Sequence, residues 1–70
     1  MNRKELGNII QSRRKELKIT QADLALISEV STKQLSNIEQ GKVSPTIDML
    51  SKLCETLGLS IELKIKGVDL

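Results

Sequence analysis

TQADLALISEVSTKQLSNIEQGK, residues Thr20 to Lys42, holds two short helical patterns separated by only four residues, Ser28 to Ser31. Thr20 is an N-cap by type: its hydroxyl can accept from the free amides of Ala22 or Asp23. Asp23 resembles the second half of a capping box and suits the positive end of a helix. Leu24 and Ala25 face inward, and this helix is expected to stop near Ser28. Ser31 is the next N-cap. Leu35 and Ile38 follow inward at an i, i+3 spacing, and Gly41 can take the left-handed conformation that ends a helix. The second helix is therefore expected over Thr32 to Gln40.

Two helices joined by so short a turn must cross steeply, which is the helix-turn-helix arrangement. Val30 plugs the turn, and Ala25 is small because the second helix passes close over the first. Thr32, Lys33, Gln34, Ser36 and Asn37 then cover an outer face almost free of acid and rich in short donors and acceptors. A major groove about 12 Å wide admits one α-helix and displays a donor/acceptor code on its base edges. The first helix would position, and the helix from Thr32 would read.

Outward from this segment, Leu6, Ile9, Ile10 and Leu17 repeat at helical spacing, so a helix is expected over Asn2 to Leu17. Gly7 only weakens it, and Arg13 and Arg14 interrupt its apolar stripe. Lys42-Val43-Ser44-Pro45 reads as a loop. A further helix is expected from about Thr46, with Ile47, Leu50, Leu53, Cys54 and Leu57 on one stripe and Gly58 as its stop. Ser60 to Lys66 alternates polar and apolar, the pattern of a half-buried strand. One strand cannot stand alone, and the sequence offers no second one. The simplest donor is the same strand of a second copy, paired antiparallel across a two-fold axis. Ile61, Leu63 and Ile65 would cover the ends of both cores, with Leu57 and Leu59 beneath. The expected fold is mainly α: a four-helix domain over 1–59, and a C-terminal strand and tail for dimerisation over 60–70. The two-fold would set two reader helices about 34 Å apart on a pseudo-palindromic operator.

Composition narrows the function. A chain of 70 residues buries only about 60% of its unfolded surface, so its core is thin. It has no Trp, Tyr, Phe or His. Base stacking on aromatic rings, histidine catalysis and histidine metal ligation are thereby excluded. A lone cysteine, Cys54, allows no internal disulfide and no CxxC metal site; it falls on the apolar stripe as a small core residue. No metal and no cofactor is expected. Enzymatic chemistry is not expected either, since paired carboxylates and a phosphate-cradling glycine loop are missing. A lone thiol and the lack of a signal-peptide pattern point to a cytoplasmic protein, and no apolar run reaches the ~20 residues that span a bilayer. The net charge is +2, but residues 1–18 hold six Lys/Arg against two Asp/Glu, a local +4, and residues 19–70 hold five against seven. The N-terminal segment carries the positive field.

TQADLA, VSTKQLSNIEQGK and SPTIDMLSKLCETLGL together resemble the Cro/CI-type, or XRE-family, helix-turn-helix repressors, whose fold is lambda-repressor-like. The resemblance covers about Leu6 to Leu59. It implies that Gln21 and Lys42 contact backbone phosphate, and that Thr32, Lys33, Ser36 and Asn37 lie in the groove. Gln34 would reach bases or phosphate. Arg14 would pair with Glu39, tying the N-terminal helix to the reader. Apart from the resemblance, the charge of Arg13 reads either as a further phosphate contact or as a plain surface charge. One position departs from the family pattern: Glu29 stands where a turn glycine is usual, and a positive φ there costs roughly 1 kcal/mol.

The tail, LGLSIELKIK, is similar to HipB-type antitoxins, in which a dimer built through a C-terminal strand binds both operator DNA and a kinase-like toxin, HipA. The resemblance implies a homodimeric, sequence-specific repressor that autoregulates as the antitoxin of a HipA-like toxin. A stand-alone XRE regulator is the alternative. A protein-interaction module that uses the same fold without DNA is the other. Leu26 and Ile27 are adjacent where a lone helix would expose at least one; they read either as ordinary exposed residues or as a toxin or partner contact.

Overall fold

The computed structural model describes residues 1–67. Its helices are α1 (Arg3–Glu16), α2 (Gln21–Ile27), α3 (Thr32–Glu39) and α4 (Ile47–Leu57). All four begin the same way. The side chains of Asn2, Thr20, Ser31 and Thr46 accept from the backbone N–H groups of Glu5, Asp23, Gln34 and Met49 at 2.9–3.1 Å. Each satisfies one of the amides that a helix start leaves without a partner. The full reciprocal box forms at Ser31, where Gln34 Oε1 also accepts from the Ser31 N–H at 2.9 Å. At Thr20 only the threonine half forms. The aspartate chain is one carbon shorter than that of Gln34.

The helix ends are also alike. Ile19, Val30, Lys42 and Leu59 donate their amides back to the carbonyls of Arg14, Ala25, Asn37 and Cys54 at 2.8–3.3 Å. This is the Schellman closure, which needs one left-handed residue per helix. Glycine fills that place at Gly41 and Gly58, with φ of 72° and 69°. Lys18 and Glu29 fill it after α1 and α2, both at φ 58°. The turn between α2 and α3 therefore closes in the usual way despite Glu29, and half-buried Val30 packs beneath it.

The core is aliphatic: Ile10, Leu24, Ala25, Leu35, Ile38, Leu53 and Leu57, with Leu6, Ile19, Val30, Met49, Leu50 and Leu59 around it. Cys54 is buried with them. The α1 helix packs on both α3 and α4, and α2 packs on α3 and α4. Gly7 has a role beyond weakening α1. A Cβ there would run into the Ile38 carbonyl oxygen and lie 2.8 Å from that of Glu39. A Cβ at Gly41 would lie 2.8 Å from the Cα of Lys4. Two glycines thus let the backbone of α1 touch the C-terminal end of α3. Ser28, 1% exposed, donates its hydroxyl to Thr56 at 3.1 Å, joining the end of α2 to α4.

Three expectations need correction. Ile47 is not on the buried stripe but 74% exposed, because it opens α4 just beyond the exposed loop and before the helix meets its neighbours. Ile9 and Leu17 are 41% and 40% exposed, so α1 buries Gly7, Ile10 and Arg14. Finally, residues 60–66 form no strand, and the described residues contain none. A strand needs amides and carbonyls from a neighbour, and a single chain of four helices supplies no such edge. Ile61 reaches a groove lined by Met1, Leu6, Ile9, Leu50, Cys54 and Leu59. Leu63 and Ile65 are 98% and 70% exposed among the described residues. Residues 68–70 of the expected dimerisation segment lie outside the described residues.

Candidate nucleic-acid interface

The surface is built from α3 outward. Leu35 and Ile38 anchor the helix with 0% and 1% exposure, so the opposite side must face solvent. Thr32, Lys33 and Gln34 are exposed; Ser36 and Asn37 are half-buried. Gln34 and Asn37 line a shallow groove with Val43, Ser44, Pro45 and Thr46. Lys42 is exposed just past the end of α3, its amide tied to the Asn37 carbonyl at 3.0 Å. Thr32, Lys33, Gln34, Ser36, Asn37 and Lys42 therefore belong to one helix and its closing turn.

Glu39, the one carboxylate of α3, is turned away from that face and 3% exposed. Arg14 donates to it twice, from Nε to Oε2 at 2.8 Å and from Nη2 to Oε1 at 2.9 Å. Gln21 Nε2 adds a third bond to Oε1 at 3.1 Å. Arg14 also reaches the Ile19 carbonyl from Nη1 at 3.0 Å. One ion pair thus joins α1, the α1–α2 turn, the start of α2 and the end of α3. Burial alone would raise the Glu39 carboxyl. The bonds from Arg14 and Gln21 and the charge of Arg14 outweigh it and hold the carboxyl below its ordinary value. The hydrogen bond to Glu39 likewise raises Arg14 above its ordinary value, against the opposing effect of burial. The result removes the only α3 acid from the outer surface without leaving it unpaired.

Arg13 is not brought to this surface. Its Nε donates to the Leu57 carbonyl at 2.9 Å, closing the C-terminal end of α4, and Nη1 lies 3.7 Å from Glu16. Consecutive positions on a helix point about 100° apart, so Arg13 and Arg14 serve different neighbours. Gln21, the first residue of α2, is half-buried, and its amide donates to Glu39 at the end of α3.

Two hydrogen bonds at the surface escaped the sequence reading. Gln34 carries the capping box, a role signalled by the Ser31-x-x-Gln34 spacing. Gln40 Nε2 donates to Ser36 Oγ at 2.9 Å, an i, i+4 pair visible in spacing but not in kind. Ser28 and Thr56 had no local signal, being 28 residues apart.

Two short helices crossing at a buried turn, with an acid-free polar face on the second, define a helix-turn-helix domain of the DNA-binding class. The chain belongs to the helix-turn-helix family, whose model matches residues 10–64. Two crystal structures of ClgR, the clp gene regulator of Corynebacterium glutamicum, are similar to it, each at 34% identity and a TM-score of 0.80. One match covers 83% of this chain and 62% of that one; the other covers 84% and 76%. This chain therefore spans less than two thirds of the first. No curated protein matches.

Proposed function

We propose that this chain is a dimeric, sequence-specific transcriptional repressor that reads operator DNA with α3. The observation that carries the reading is the outer face of α3. It is polar, bears Lys33 with Lys42 just past its end, and is cleared of carboxylate by the buried Arg14–Glu39 pair. Thr32, Lys33, Gln34, Ser36 and Asn37 contact base edges. Gln21, Lys42 and amides at helix starts hold phosphate and set the register. Arg13, bound to α4, is no part of this set. The likeness to ClgR, described as a gene regulator, supports a regulatory role.

The test is binding to an operator selected from random duplexes. Lys33→Ala or Asn37→Ala should cost about 1–3 kcal/mol and relax specificity at one position. Lys42→Ala should weaken all sequences alike and flatten the salt dependence. If Lys33→Ala and Asn37→Ala both bind as the parent does, α3 is not the reader.

The finer reading is an antitoxin. Support comes from the tail: Leu63 and Ile65, apolar residues two apart, are 98% and 70% exposed. Pairing with the same segment of a second copy would satisfy its backbone and cover its apolar face. Sedimentation should give a dimer that becomes a monomer on truncation before Ile61. Co-expression with a HipA-like kinase should yield a stable complex. A monomeric full-length chain would remove the dimer, and no complex with such a kinase would remove the antitoxin role.

A reading without DNA draws on one observation: Leu26 and Ile27, adjacent on α2, are 80% and 61% exposed. A protein contact made through them would persist between about 50 and 200 mM salt, where binding to a duplex falls steeply.

A further inference from the structure

Most of the positive charge in the N-terminal segment has no role in the contacts described so far. Arg14 is buried against Glu39, and Arg13 is engaged by the Leu57 carbonyl and Glu16. Lys4 is exposed, and the ion pairs among the described residues do not include it. It also stands in the first turn of α1, where a cation opposes the helix dipole. The helix itself therefore gains nothing from this charge.

Packing fixes where Lys4 stands. A Cβ at Gly41 would lie 2.8 Å from Lys4 Cα, 3.2 Å from its Cβ and 3.4 Å from its Cγ. The stem of Lys4 thus starts out along the backbone of the turn that closes α3. Lys42 is the next residue of that turn, about 3.8 Å further on between Cα atoms. Its amide is tied to the Asn37 carbonyl at 3.0 Å. Lys4, Gly7 and Arg14 fall within about 80° of one another around α1. Gly7 meets the carbonyls of Ile38 and Glu39, and Arg14 meets the Glu39 side chain, so this side of α1 is held against α3. Glu5, the acid next to Lys4 in sequence, points about 100° away, and its Oε1 accepts from Asn2 Nδ2 at 3.3 Å. A lysine of α1 and a lysine of the α3 turn therefore leave the surface side by side.

Resting on the reading of α3 as the helix that enters the groove, we propose that Lys4 is a further phosphate contact at this corner. With Lys42 it holds the DNA backbone beside the end of the reader helix. The ligand is the backbone phosphate of a duplex. A lysine ammonium is a compact point charge on a flexible stem, suited to neutralising a phosphate and carrying no base preference. Duplex DNA bears one negative charge per about 1.7 Å of axis, so neighbouring cations can each meet one. Lys4 contributes affinity and register, not sequence.

The experiment is equilibrium binding to the selected operator and to a scrambled duplex, titrated from about 50 to 200 mM salt. It is run on the parent, Lys4→Ala, Lys4→Arg and Lys52→Ala. Lys52 is an exposed lysine of α4, in a groove with Ile27, Glu29 and Glu55, and its removal changes the net charge by the same amount. In Lys4→Ala the slope of log affinity against log salt should shrink by about 0.9, so the parent loses about 3- to 4-fold more affinity over the range than the variant does. Operator and scrambled duplex should be affected alike. Lys4→Arg and Lys52→Ala should keep the parent's slope. Equal slopes for the parent and Lys4→Ala, or an equal reduction in Lys52→Ala, would overturn the inference while leaving DNA reading intact. A parent that binds neither duplex would remove the DNA-binding reading, and this inference with it.

Discussion

Arg14 lays two nitrogens against the carboxylate of Glu39, at 2.8 and 2.9 Å, across 25 residues of sequence. The pair is bidentate and almost fully withdrawn from water, the geometry in which an arginine–carboxylate contact is strongest. It holds α3 at a set angle to α1, so the outer surface inherits its orientation from an interaction it does not display.

Removing one partner should be far worse than removing both. Glu39→Gln leaves the guanidinium buried without its counter-charge, and about 3–5 kcal/mol of stability should be lost. For a domain of this size that is a large share of the total. Arg14→Met with Glu39→Leu together should lose much less, since neither charge is then stranded. Urea unfolding of Arg14→Met alone, Glu39→Leu alone and the double checks this; simple additivity would contradict it.

Acid should loosen the same junction. The folded carboxyl of Glu39 titrates below its ordinary value of 4.5. The unfolded chain therefore takes up the proton first as pH falls. The stabilisation is full above the ordinary carboxyl range and is lost as pH drops through the lowered folded value. Melting temperature should hold steady from pH 7 to about 5 and then fall. The Arg14→Met, Glu39→Leu double should show a shallower fall; an identical pH profile would mean that other carboxylates dominate.

Gly7→Ala should destabilise. Alanine in a helix interior is favoured over glycine by about 1 kcal/mol. Here the new methyl meets the carbonyls of Ile38 and Glu39, which are backbone and cannot rotate aside. Overpacking of this kind costs about 1–3 kcal/mol, so the net change should be a loss. Thermal unfolding that shows a gain would mean that α1 and α3 do not approach as closely as the structure has them.

Glu29→Gly should stabilise, by up to about 1 kcal/mol. Glycine removes the roughly 1–2 kcal/mol penalty of the left-handed backbone at φ 58° and adds back about 0.4–1 kcal/mol of unfolded-state freedom. Lys18→Gly should behave alike after α1. Gly41→Ala is the opposite case: it is left-handed and also collides with Lys4. Denaturant midpoints for the three would rank them, and a destabilised Glu29→Gly would contradict the strain argument.

The elements were legible because their signals are short-range. Thr20, Ser31 and Thr46 announce helix starts, and Gly41 and Gly58 announce stops, from atoms within a few residues of one another. The side-chain assignments were less legible. Arg13 and Arg14 are neighbours of the same type in sequence, yet one caps α4 and the other pairs with Glu39. The Arg14–Glu39 pairing came from family resemblance, since charge pattern alone offers Glu39 several partners. Gln34 was assigned to DNA although the capping-box spacing with Ser31 was in view, because both roles suit an exposed amide.

The tail marks the limit from the other side. Its alternation is a true property of residues 60–66, but a strand exists only where another backbone meets it, and none does so among the described residues.

By itself, then, the order of residues determined four helices, their caps, the tight turn and the polar face, since each depends on contacts made within a turn or two. The tertiary structure alone decided that Gly7 must be small, that Arg13 turns to α4, and that Glu39 turns inward to Arg14. Those outcomes depend on which backbones are pressed together across long separations, and a linear pattern holds no distances between its distant parts.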